Sequence, residues 1–136
     1  MPDFHGACHC GSLRYSVIGE PLSVVNCHCG MCRSLNGGAF SSYVVIRQPD
    51  LVIDEKGSLR NYQVTESAEH QFCGICGTPI FNTNSKHPNL AMLYLGAVQP
   101  GTGLVPKINV WCESKLPWVD AIESIKSFPQ AVGRQP

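Results

Sequence analysis

Apolar residues along this chain come in short bursts, each bounded by glycine, proline, asparagine or aspartate. Residues 13–18 alternate imperfectly and stop at Gly19-Glu20-Pro21, and residues 22–26 run into a cysteine cluster. Residues 40–46 are rich in β-formers and end before Pro49. Residues 51–53, 59–62, 69–73, 79–83, 90–95 and 107–111 complete the strand candidates. Short strands at this regular spacing predict a mainly β chain, either a sandwich or a folded-over sheet. Helix signals are few. Residues 33–36 suit one turn, stopped by Gly37-Gly38, and residues 120–125 suit one or two turns after Pro117. Residues 129–136 hold two prolines and a glycine and are expected to form a flexible tail, leaving residues 1–128 as the domain.

A length of 136 residues fits one domain. Charged residues make up 15%, well under the roughly 25% of an average domain, and ten basic side chains balance ten acidic ones. The charges are scattered, so no basic face for nucleic acid is expected. No run approaches the ~18 apolar residues of a membrane span. Met1 to His5 show neither a basic start nor an apolar stretch, so no signal peptide is expected. The thiols are therefore expected in a reducing, cytoplasmic compartment, where paired cysteines read as metal ligands before disulfides. A secreted disulfide scaffold is the competing reading of an even cysteine count, but Cys-x-Cys pairs bridge poorly.

Seven of the eight cysteines cluster. Cys73-x-x-Cys76-Gly77 has a zinc-knuckle spacing, in which the chain turns so that both sulfurs face one ion. Cys8-x-Cys10-Gly11 is a rarer chelating pair. Together the two pairs make one closed tetrahedral zinc site that joins the N-terminal region to mid-chain. Cys27, Cys29 and Cys32 supply three ligands from one loop. Their fourth partner is open between Cys112, His28, a remote His70 or His87, and water or a substrate thiol. Cys112 ends a strand pattern and reads better as a small core residue. His9 and His28 are expected to face solvent or to flank the metal, and His5 and His87 to lie on the surface. Seven thiolates against two dications would leave the metallated chain net negative.

The run His5-Gly6-Ala7-Cys8-His9-Cys10-Gly11 with Tyr15, then Cys27-His28-Cys29-x-x-Cys32-Arg33, then Phe72-Cys73-x-x-Cys76-Gly77-Thr78, then Pro117-Trp118, resembles the glutathione-dependent formaldehyde-activating enzyme family. That family also includes centromere protein V. The likeness spans roughly residues 5–120, with all seven clustered cysteines in the expected order and spacing. It implies an Mss-four-like fold of zinc-stapled, folded β-sheets with one or two short helices. It implies a structural zinc on Cys8, Cys10, Cys73 and Cys76 and a second, catalytic zinc on Cys27, Cys29 and Cys32, two Zn2+ per chain. The named activity is that of a carbon–sulfur lyase, condensing glutathione with formaldehyde to S-hydroxymethylglutathione. No residue outside the cysteine motif matches a glutathione contact.

In such an enzyme a thiol loses its proton at the second metal and becomes a nucleophile beside a small aldehyde. Arg33 is a candidate to balance the site's negative charge or to bind a substrate carboxylate, against a purely structural pairing. His28 is the nearest candidate proton carrier. Phe40 and Trp118 are candidate pocket walls, with core packing as the plainer alternative. Two other functions fit the same residues. One is a non-catalytic zinc module, chaperone-like or a partner-binding unit. The other is a thiol redox enzyme acting through Cys112, as in B-type methionine sulfoxide reductases, which share the fold.

Overall fold

The computed structural model describes residues 3–133, and the chain is mainly β in two sheets. The first sheet has three antiparallel strands in the order β1-β2-β5: Phe4–Ala7, Arg14–Val17 and Leu51–Glu55. The second has seven, in the order β10-β3-β4-β9-β8-β7-β6. These are Ile108–Val110, Ser23–Cys27, Ser41–Arg47, Leu90–Tyr94, Pro79–Asn84, Ala68–Cys73 and Leu59–Gln63. All neighbours are antiparallel except β10 and β3, which run parallel with Val110 opposite Cys27. This folded pair of sheets is the Mss-four-like, mainly β architecture implied by the cysteine motif.

The core lies between the sheets. Val17 from the first sheet and Val44, Ile46, Ala91 and Leu93 from the second are fully enclosed, with Leu13, Tyr15 and Ile80 nearly so. Alternation explains the choice. On β4, Val44 and Ile46 face this core, Ser41 and Tyr43 are buried on the opposite face, and Arg47 at its end is exposed. Each enclosed aliphatic side chain stabilises by about 1.5–3 kcal/mol relative to exposure.

Strand β1 was not among the expected elements. Phe4-His5-Gly6-Ala7 is short and contains a glycine, so its own sequence gives no strand pattern. Its pairing with β2 makes it a strand, and at its centre Gly6 lies opposite Tyr15. A Cβ on residue 6 would stand 2.1 Å from the Tyr15 ring, so only glycine admits that ring.

The one α-helix among the described residues, α1, spans Gly30–Asn36, starting three residues before the expected turn. Cys29 is its N-cap: the sulfur accepts from the Cys32 amide at 3.2 Å. Cysteine is not among the usual capping residues, which hid this start. The helix ends where the Gly37 amide bonds the Arg33 carbonyl at 2.8 Å. The turns expected at residues 120–125 appear as a 3-10 segment, Pro117–Ser124. The tail expected over residues 129–136 is described only to Gly133, and residues 134–136 lie outside the described residues, as do Met1 and Pro2. Among the described residues no helix is long and apolar enough to cross a membrane.

Candidate metal centres

The two pairs, Cys8-x-Cys10 and Cys73-x-x-Cys76, meet across the two sheets. Cys8 and Cys10 lie in the turn after β1, Cys73 ends β7, and Cys76 lies in the turn to β8. The four sulfurs all stand within 4.8 Å of one another. Cys8 and Cys10 sulfurs are 3.6 Å apart and those of Cys10 and Cys73 are 3.8 Å apart. A tetrahedron with Zn–S bonds of ~2.3 Å has edges of about 3.8 Å, so the donor set and its spacing fit a structural zinc. Gly77, at φ +78, takes the left-handed conformation that returns the chain after Cys76.

The surroundings favour the thiolate at Cys73 and Cys76 and oppose it at Cys10, where bonds from Ser12 are outweighed by desolvation and the neighbouring Cys8 and Cys76 thiols. Burial opposes ionisation of Cys73. Bonds from Ser12, the Cys76 amide, Ser58 and the Ile75 amide together outweigh it and hold that thiol down to about 5. Hydrogen bonds from Thr78 bring Cys76 down to about 7. The His9 amide donates to Thr78 at 3.0 Å, and Ser12 and Ser58 hydroxyls meet at 2.8 Å, so further bonds tie the two sheets beside the sulfurs.

Cys27, at the end of β3, converges with Cys29 and Cys32 at the start of α1. The Cys32 sulfur lies 3.0 Å from Cys29 and 3.3 Å from Cys27. These separations are shorter than a tetrahedral zinc edge. Three converging sulfurs remain a donor set for a soft dication. The bond from Cys32 lowers the Cys27 thiol to about 6, while bonding to Cys27 and burial raise that of Cys32.

The other residues weighed as ligands stay outside this set. Cys112 is exposed in the 3-10 turn Cys112–Ser114. His28 is buried rather than solvent-facing: its Nε2 lies 3.3 Å from Asn109 and its Nδ1 has no partner. His87 is exposed, as are His5 and His9. His70 is buried in a polar cluster that the sequence did not signal. The Asn82 amide donates to the hydroxyls of Tyr43 and Tyr94 at 3.0 and 3.1 Å. Its oxygen therefore faces His70 Nδ1 at 2.7 Å, which places the proton on that nitrogen. Tyr43 then donates to the Cys32 sulfur. Burial raises both tyrosines above their ordinary range, so they stay protonated and serve as donors.

A cavity of about 220 Å3 opens on this site. The three cysteines and Tyr43 form its floor, and Val25, Met92 and Val110 of the larger sheet wall it. Met31 and Leu35 of α1, Val64, Ala68, Asn82, Asn84 and Trp111 also line it, together with Glu69 and Thr83, whose register puts their side chains on the opposite face of the sheet. Arg33, Phe40 and Trp118 do not line it. Arg33 Nη1 instead donates to the carbonyls of His28 at 2.6 Å and Ser114 at 2.7 Å, clamping the turn after β10 onto the cysteine loop. Phe40 packs its ring 5.1 Å from that of His28, and Trp118 is half exposed.

Two folded β-sheets bridged by one cysteine set, with a second set facing a cavity, define a cysteine-rich class of domain with two clusters that could hold a metal ion. Within that class the chain belongs to the glutathione-dependent formaldehyde-activating enzyme family, whose model matches residues 3–114. A relative from Halomonas elongata, named "Putative glutathione-dependent formaldehyde-activating enzyme", is 28% identical over 127 residues, covering 88% of this chain and 80% of that protein. An uncharacterised lyase of Schizosaccharomyces pombe is 30% identical over 90 residues, covering 65% of this chain and 64% of that protein. Among solved structures, a Rhodobacter sphaeroides protein superposes with a TM-score of 0.62 at 23% identity, over 77% of this chain and 97% of that one.

Proposed function

We propose that this chain is a zinc-dependent carbon–sulfur lyase that adds a thiol to a small aldehyde and reverses that addition. Glutathione and formaldehyde are the pair that the family's description names. In this reading Cys8, Cys10, Cys73 and Cys76 hold a structural zinc, and Cys27, Cys29 and Cys32 hold a second one that takes part in the reaction. The observation that carries it is the three-sulfur set on the floor of a cavity, with no fourth protein ligand in reach among the described residues. A zinc ion bound there would supply Lewis acidity, which favours the deprotonated form of a thiol.

The chain's own residues supply the rest. Tyr43, oriented by Asn82, fixes the Cys32 sulfur by its hydroxyl proton. Val25, Met92, Val110 and Met31 exclude water from the reacting pair. The addition is balanced: the sulfur–carbon bond forms, the carbonyl π pair moves to oxygen, and the thiol's proton ends there, with nothing oxidised. Cysteines gathered in clusters of metal-ligand spacing support a reducing, cytoplasmic location.

Zinc content and exchange kinetics test the proposal. Purified protein is expected to carry two zinc ions per chain, falling to one in Cys29→Ser. With 13C-formaldehyde and either glutathione or 2-mercaptoethanol, the holoprotein should accelerate adduct exchange seen by NMR, and Cys29→Ser should not. Two zinc ions without acceleration would indicate a binding module instead. One zinc in the wild type would remove the second centre.

A further inference from the structure

We infer that His70 is a positioning residue for the three-cysteine centre: through the Asn82 side chain it sends the hydroxyl proton of Tyr43 onto the Cys32 sulfur. The inference rests on the reading above that this centre holds a metal ion, and it concerns how one ligand of that ion is tuned. Among the described residues His70 bonds none of the cysteines, and it does not line the cavity. Its effect on the centre passes through its neighbours.

The path crosses four adjacent strands. His70 on β7 lies opposite Asn82 on β8, and Tyr94 on β9 lies opposite Tyr43 on β4. Strand register sets all four side chains on one face of the larger sheet, the face where Tyr43 and Tyr94 pack against Cys27 and Cys32. All four are buried, so their polar atoms need partners within the protein.

The Asn82 amide decides which partners they find. It carries an acceptor on one arm and two donors on the other, and a half-turn exchanges the arms. One arm faces His70 Nδ1 at 2.7 Å, and the other faces the hydroxyls of Tyr43 and Tyr94 at 3.0 and 3.1 Å. With the imidazole proton on Nδ1, the amide oxygen takes the His70 side and both amide hydrogens go to phenol oxygens. Every polar atom of Asn82 is then paired. Tyr43, already an acceptor, must place its own proton elsewhere. Within reach are the Cys32 sulfur at 3.2 Å and the Tyr94 oxygen at 3.4 Å. The Tyr94 oxygen already accepts from Asn82, and an ionised sulfur is the stronger acceptor, so the proton goes to Cys32.

Moving the imidazole proton to Nε2 reverses each step. Nδ1 becomes an acceptor, the amide turns its hydrogens towards it, and the oxygen faces the two hydroxyls. Tyr43 then donates to Asn82, and Cys32 loses its bond. Nδ1 offers one lone pair to two amide hydrogens, so one of them is left unpaired in a buried place, a cost that favours the first arrangement. A hydrogen bond withdraws charge from a ligating sulfur, so His70 sets how strongly Cys32 gives electrons to the ion.

The test reads this tuning in the full chain loaded with cobalt in place of zinc, through sulfur-to-cobalt charge-transfer bands. His70→Phe keeps a ring beside Phe72 and Tyr94 but removes Nδ1. The Asn82 oxygen should then turn to the tyrosines, and the bands of the second ion should move to lower energy by as much as in Tyr43→Phe. Joining the two substitutions should add no further shift, since both remove the same bond. Each should weaken binding of the second ion by a similar factor, of the ~10–100-fold found for groups that orient metal ligands. A merely structural histidine would lower thermal stability and leave the bands in place. Two bound ions with bands unmoved by His70→Phe would therefore overturn the inference alone. A protein that takes up a single cobalt ion would remove the second centre, and the thiol–aldehyde reading with it. In the unsubstituted protein, 15N shifts of the His70 ring should show a protonated Nδ1. A bare Nδ1 would overturn the inference even where His70→Phe fails to fold.

Discussion

The Tyr43 hydroxyl donates to the Cys32 sulfur at 3.2 Å, linking the three-cysteine site to a buried polar cluster on the larger sheet. Tyr43 lies opposite Val25 on one side and Tyr94 on the other, so strand register alone brings it under the cysteine loop. Its hydroxyl also accepts from Asn82, whose oxygen meets His70. Tyr43→Phe removes one donor to sulfur and one acceptor for a buried amide. Net hydrogen bonds contribute about 1 kcal/mol each, so denaturant unfolding should show a loss of about 1–2 kcal/mol. Groups that orient metal ligands typically change affinity by ~10–100-fold, so zinc should leave the second centre more readily in a chelator competition. The outer centre should be unaffected, a split that a general loss of stability would not produce.

Gly6 and Tyr15 make a second, purely steric pair. Gly6→Ala places a methyl 2.1 Å from the buried tyrosine ring, which must shift to admit it. Overpacking of this kind costs about 1–3 kcal/mol. The Tyr15 hydroxyl, by contrast, is buried with no partner. Tyr15→Phe removes an unsatisfied polar atom and should be neutral or stabilising in thermal unfolding. A clear loss in Tyr15→Phe would mean that the hydroxyl has a partner, such as an ordered water.

The cysteine spacing announced both sulfur clusters, because their grouping is local: two or three sulfurs within a few residues can meet at one point. Most strands were legible too, since bursts such as residues 90–95 and 79–83 carry their own β pattern. What stayed hidden was non-local. Strand β1 depends on β2, and the parallel pairing of β10 with β3 joins segments some eighty residues apart. The start of α1 was missed because a thiol stands where a hydroxyl or carboxamide usually caps. The cluster of Tyr43, His70, Asn82 and Tyr94 was missed because a polar residue on a strand reads as solvent-facing. Strand register sets these four on one face of the larger sheet, and of the two places expected for His28, solvent or beside the cysteines, burial selects the second.

Arg33 joins two loops through one guanidinium nitrogen, bonding the His28 and Ser114 carbonyls. Arg33→Ala should cost about 2 kcal/mol, as expected for hydrogen bonds from a charged donor. More tellingly, the turn Cys112–Ser114 should loosen, and with it the Trp111 indole. Hydrogen exchange at residues 111–114 should speed up, and Trp111 fluorescence should shift as its surroundings change. A carboxylate-binding arginine would instead leave that turn unchanged and lose affinity only for anionic thiols. The two outcomes separate the structural role from the substrate role.

Acid should empty the two metal centres in order. Metal ligands must be deprotonated, so proton competition sets the pH at which zinc leaves. In the outer set Cys73 is held down to about 5 and Cys76 to about 7 from an ordinary 9.0, against an upward shift at Cys10. In the three-cysteine set Cys27 is lowered to about 6, but Cys32 is raised by its bond to Cys27 and by burial. Releasing the Cys32 proton therefore costs extra, and that set should lose zinc first as pH falls from 8 towards 5, with the fold intact by circular dichroism. The metal-free protein supplies the matching sign. A thiol whose folded value lies below its unfolded one adds stability that is complete above 9 and is lost as pH falls through the folded value. Cys73 should thus make apoprotein stability climb between about pH 5 and 9. Zinc release followed with a chromophoric chelator should show two steps, the first without unfolding. A single step coincident with unfolding would contradict the ordering.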